Sequence, residues 1–147
     1  MIVDADSCPV KEEIVEIARN FDVNVFFVAS YNHVPNVSVG GTWHFVDSDK
    51  EAADLFIMNH VKPQDLAVTQ DIGLASTLLS KRVYVMDPRG KLYEERDIES
   101  ALHMRYLSAK ARRQGKYGKG PKAFTKEDRI RFQENFIKIL SKIKGNQ

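Results

Sequence analysis

From residue 2 to residue 86, short runs of β-forming residues alternate with helix-length segments, and this alternation constrains the fold more than any other feature. The β-forming runs cover residues 2–5, 23–29 (VNVFFVA), 43–46, 66–70 and 83–86. Between them, Pro9 suits a first helical turn, with Asp6 or Ser7 near its cap. Ile14, Ile17, Ala18 and Phe21 then share one helical face. Further helices are expected up to about Val61 and from Ile72 to Lys81, while residues 30–42 read as a loop, with room for a short strand inside it. Strands in strict alternation with helices predict an α/β fold, a mostly parallel sheet flanked by helices. The pattern changes after the turn Asp87-Pro-Arg-Gly90. Residues 97–114 read as helix, 115–123 as a glycine-rich basic loop, and Thr125-Lys-Glu-Asp128 as the capping-box-like start of a last helix. All 147 residues therefore read as one domain, with an α/β core over about 1–96 and a basic helical extension over about 97–147.

In such sheets, sites form at the carboxyl ends of the strands. Here those ends are acidic. Asp4 and Asp6 close the first strand, and strand alternation would set them on one face as close like charges. That arrangement costs free energy unless a cation, donors or solvent compensates. Asp47 and Asp49 follow the third strand and Asp71 the fourth. Asp54 lies in the helical stretch Glu51-Ala-Ala-Asp54-Leu-Phe-Ile, with Ile57 and Met58 at its i+3 and i+4 positions. A carboxylate on that apolar flank needs a partner. Singly, each of these acids also suits a turn or a helix N-cap. Together they form an oxygen-rich set of the kind that holds Mg²⁺ or Mn²⁺.

Charge is unevenly spread. Residues 1–71 carry twelve Asp or Glu against four Lys or Arg, whereas residues 72–147 carry eight acids against eighteen bases. No acid occurs between Ala101 and Lys126, a stretch that includes Arg105, Arg112, Arg113, Lys116, Lys119 and Lys122. With Tyr106, Tyr117 and Phe124 interleaved, the strip suits single-stranded nucleic acid, its cations taking phosphates and its rings stacking on bases. The competing reading is a solvated surface, or a surface packed on the acidic half of its own or another subunit in a homo-oligomer. Cys8, the one cysteine, reads as a small buried hydrophobe, and the four histidines lack zinc spacing. No apolar run approaches the roughly 18 residues of a membrane span. No signal-peptide pattern opens the chain, so a cytoplasmic location is expected.

The stretches VDADSCPVK, EAADLFI, VTQDIGLA, DPRGKLY and ARRQGKYGKGPKAFTKEDRIRF resemble the YaiI/YqxD family of bacterial proteins over essentially the whole chain. That family is similar in turn to the PIN-like nucleases, compact parallel sheets whose strand-end acids bind Mg²⁺ or Mn²⁺. The resemblance implies Asp4 as the first-strand acid, Asp54 as the helix acid and Asp71 as the acid of the T-x-D step. Asp6 takes the place of an accessory polar residue. It thus points to a metal-dependent nuclease or related phosphodiesterase acting on single-stranded nucleic acid, RNA first. Two other readings stay open. Asp4-x-Asp6 also resembles the nucleophile and acid pair of haloacid-dehalogenase phosphatases, and the basic strip alone would serve a non-catalytic nucleic-acid-binding protein.

Overall fold

A computed structural model describes residues 1–31, 39–118 and 122–145. Its strands are β1 (Ile2–Asp4), β2 (Phe26–Ser30), β3 (Thr42–Val46), β4 (Leu66–Val68) and β5 (Tyr84–Met86). They form one sheet in the order β3-β2-β1-β4-β5, and every pairing is parallel. The helices are α1 (Lys11–Asn20), α2 (Lys50–His60), α3 (Ile72–Ser80), α4 (Glu95–Arg113) and α5 (Lys126–Gly145). The α/β expectation holds, and the strand runs shorten where turns take over. In the 23–29 run, Val23 to Val25 lie outside the strand, because the Val23 N–H bonds the Ala18 carbonyl as α1 ends. Of the loop expected over residues 30–42, with room for a short strand, Ser30 ends β2, Thr42 opens β3 and residues 32–38 lie outside the described residues.

Strand alternation sorts the core into two layers. Val3, Phe27, Ala29, Leu66, Val68 and Met86 pack with α1 and α5, whereas Ile2, Val28, Ala67 and Val85 pack with α2, α3 and Ile98 at the start of α4. Asp4 follows Ile2 by two positions, so it belongs to the α2/α3 side. Ile14 and Ala18 of α1 are buried and Ile17 and Phe21 pack beside them, as their spacing implies.

Two expectations change. Neither Asp6 nor Ser7 caps α1, whose N-cap is Val10 without a side-chain bond. The Asp6 carboxylate instead accepts from the Ser30 N–H at the end of β2, at 3.0 and 3.2 Å. The second concerns the basic extension. α5 does not have the character of one. In α5, Phe132, Phe136, Ile139 and Leu140 are buried in the same cluster as Val3 and Phe27. The helix opens as its sequence suggests, with Thr125 N–H to Asp128 Oδ2 and Asp128 N–H to Thr125 Oγ1. It is then fastened to the 87–90 turn. Arg89 Nη1 meets Asp128 at 2.6 Å, and Asn135 Nδ2 donates to the Gly90 carbonyl at 2.8 Å. Gly90 has φ +97°, and a Cβ there would stand 2.8 Å from the Arg131 backbone, so the close approach of α5 requires glycine. Among the described residues, no helix is long and apolar enough to cross a membrane.

Phe136→Ala is therefore expected to cost about 3–5 kcal/mol, the range for emptying a packed phenylalanine site. Urea denaturation measures it. A loss below about 1 kcal/mol would mean that α5 is appended to the domain and not part of its core.

Candidate functional site

In this strand order the chain runs outward from β1 to β3 and then returns to β1's other side as β4. The junction of β1 and β4 is thus the point where the order reverses, where doubly wound sheets open a crevice beyond the strand ends. A cleft of about 530 Å³ lies there. Asp4, Asp6, Asp54 and Asp71 all line it, joined by Asp49. Arg105 of α4 lines it too, with Ala101, Met104 and Ser108 beside it on that helix.

Each acid is held by its local structure. Asp4 ends the central strand, and its Oδ2 accepts from the Thr69 hydroxyl at 2.9 Å. The same Thr69 oxygen accepts from the Asp71 N–H at 3.0 Å, so one buried hydroxyl sets both acids across the β1/β4 junction. Asp71 is the N-cap of α3, its Oδ1 accepting from the Leu74 N–H at 3.1 Å. Asp49 caps α2 through the Glu51 N–H, which fixes the start of the helix that carries Asp54. Capping and facing the cleft are compatible roles, because a cap commits one carboxylate oxygen and leaves the other. Asp47 is exposed and does not line the cleft.

The clustering is visible in Asp4's acidity. Its pKa is raised to about 6, chiefly by burial. The Thr69 hydroxyl acts in the opposite direction, while the charges of Asp54, Asp6 and Asp71 push the value up further. Among the described residues, no three His, Cys, Asp or Glu side chains converge closely enough to cage a metal ion. The oxygen donor set nevertheless fits Mg²⁺ or Mn²⁺ in kind. Mg²⁺ in particular keeps several of its waters and is bound through one or two carboxylates plus a substrate phosphate.

The basic residues divide. Arg105 reaches the cleft, and Arg112, one heptad further on, falls on the same face of α4. Arg113, Lys116 and Lys122 are exposed, and Lys119 lies outside the described residues. Tyr106 and Tyr117 are exposed as stacking would need. Phe124 is not free for that role, since the guanidinium groups of Arg89 and Arg129 lie over its ring at 5.6 and 5.3 Å. Arg89 is likewise occupied within the fold, bonded to Asp128 and to the Lys122 carbonyl. Cys8 is buried, its thiol pushed up to about 11 chiefly by that burial. His44 and His60 stack on the two sides of Phe56. Sequence reasoning gave Thr69 no role of its own. The available signal was its place two residues before Asp71 at a strand end.

The family model for the uncharacterized BCR, YaiI/YqxD family matches residues 2–142. The chain belongs to that family. A UPF0178 protein of Bacillus cytotoxicus is 50% identical over 145 residues, covering 99% of this chain and 95% of the relative. A UPF0178 protein of Listeria innocua is 51% identical over 134 residues, covering 91% of this chain and 92% of its own. Another, from Bacillus pumilus, is 50% identical over 144 residues, covering 97% and 87%. No solved structure matches the chain at a significant level. These names assign no activity, so membership extends the fold and sequence to many relatives while function rests on the cleft.

Asp4→Asn provides a stability test in metal-free buffer. A carboxyl whose folded pKa is raised contributes stability that is complete below its unfolded value, about 4, and lost as pH rises through about 6. The asparagine does not ionise. The variant is therefore expected to exceed wild type by on the order of 1–2 kcal/mol at pH 7.5, with the gap closing towards pH 4. Thermal melts in EDTA across that range measure it, and a variant less stable at pH 7.5 would contradict the picture of a crowded, buried carboxylate.

Proposed function

We propose that this protein is a metal-dependent nuclease acting on single-stranded nucleic acid, RNA foremost. One observation carries the reading: at the β1/β4 junction a single cleft is lined both by carboxylates from β1, α2 and the start of α3 and by Arg105 of α4. Carboxylates alone would repel a phosphodiester, and Arg105 alone would bind one without cleaving it. In this reading Asp4, Asp54 and Asp71 would hold Mg²⁺ or Mn²⁺, which would supply Lewis acidity to neutralise charge developing on the phosphate. Thr69 keeps Asp4 and Asp71 in register. Arg105 orients the phosphate from the α4 side, and Arg112 takes a neighbouring phosphate along the same helix face. Asp6 contributes negative potential, and its bond to Ser30 holds the ends of β1 and β2 together.

The phosphatase alternative needs Asp6 as a mobile acid beside a nucleophilic Asp4. Both Asp6 oxygens lie against the Ser30 N–H, which disfavours that role. The binding-protein alternative shares the same basic wall and differs only in lacking turnover.

Millimolar Mn²⁺ is expected to raise the melting temperature by mass action on the native state, and Asp71→Asn to abolish the rise. Arg105→Gln and Arg112→Gln are expected to weaken single-stranded RNA binding, each lowering the slope of log affinity against log salt by about 0.7. Asp4→Asn is expected to keep binding and remove cleavage. Wild-type protein that binds RNA with normal salt dependence yet never cleaves with either metal would assign the cleft to binding alone.

A further inference from the structure

α4 is exposed along most of its length, with Ile98 its only buried residue. Leu102, Met104, Tyr106 and Leu107 are all exposed, by 41, 60, 57 and 42%. Met104 lines the cleft, but Leu102 and Tyr106 face elsewhere. Successive steps of four and three residues connect Glu95, Glu99, Leu102, Tyr106, Ala109 and Arg113. That spacing draws one straight stripe along a helix, the geometry of a helix–helix seam. It is turned away from the cleft wall of Ala101, Arg105 and Ser108.

The stripe has an internal order: acidic at the helix start, apolar in the middle and basic at the end. We infer that this stripe is a self-complementary interface through which two copies of the chain pair by antiparallel α4 helices. Antiparallel pairing about Met104 sets Leu102 against Tyr106 of the second copy, and Glu95 against its Arg113, each contact occurring twice. Parallel pairing would instead oppose Glu95 to Glu95 and Arg113 to Arg113. A two-fold contact in which one patch meets itself is the usual form of a homodimer. The charge order of the stripe selects a second copy over a nucleic-acid strand, since Glu95 and Glu99 would repel phosphates at its first two positions. The stripe is a different face of α4 from the one that carries Arg105 and Arg112.

The inference does not depend on nuclease activity. Sedimentation equilibrium of the full chain, from low micromolar to several hundred micromolar, tests it. Wild type is expected to dimerise. Leu102→Glu with Tyr106→Glu is expected to stay monomeric at every concentration while keeping wild-type circular dichroism, since both side chains are exposed. Glu95→Arg and Arg113→Glu are each expected to weaken dimerisation about tenfold, and their combination to restore it, because the exchanged pair is again complementary. A wild type monomeric throughout the range would overturn the interface. So would a dimer indifferent to these changes, or a double reversal weaker than either single one. Loss of RNA binding in the Leu102/Tyr106 variant of a monomeric wild type would assign the stripe to nucleic acid instead.

Discussion

The cleft depends on the placement of β1. This strand has three residues and is paired on both sides, to β2 and to β4, so its end cannot drift from the middle of the sheet. Its Ile2 and Val3 are buried on opposite faces, which fixes the register and turns Asp4 towards α2 and α3. A carboxylate brought there loses much of its hydration and meets the charges of Asp54, Asp6 and Asp71. One hydroxyl, from Thr69, offsets part of that cost and ties the ends of β1 and β4 together. Local stability is given up at a point where many strong apolar contacts elsewhere hold the sheet. A carboxyl so perturbed by burial and neighbouring charge in a cleft marks a candidate functional site.

The basic half of the sequence divides into two physical roles. α5 sends its aromatic and aliphatic side into the core and is held there by Arg89, Asp128 and Asn135. Phe124, just before it, is covered by two guanidinium groups. α4 does the opposite, holding to the body near Ile98 and presenting the rest of its surface to solvent. Its faces then differ in content. One carries Arg105 and Arg112 towards the cleft, and another carries the graded stripe from Glu95 to Arg113.

The contrast between the acidic and basic halves of the chain acquires meaning through this arrangement. Residues remote in sequence come to line one cleft, Asp4, Asp54 and Asp71 together with Arg105.

Much of this was legible in the sequence because local chemistry decides it. The alternation of β-forming and amphipathic runs determined an α/β sheet, and the parallel topology placed Asp4 and Asp71 at the same edge. Asp54 was visible as a carboxylate where helical periodicity wanted an apolar residue. Thr125 and Asp128 foretold the start of α5 because a cap is a contact within one turn. Other features needed the folded chain. The bond from Asp6 to Ser30 spans 24 residues and displaced the expected cap. Thr69's link to Asp4 spans 65. Whether a basic helix packs inward or stands free depends on which apolar surface the sheet leaves uncovered, so α5 became core while α4 stayed exposed. Composition and periodicity specify what each segment can do. Only the tertiary structure decides which segment meets which, because those contacts join residues that the sequence keeps far apart.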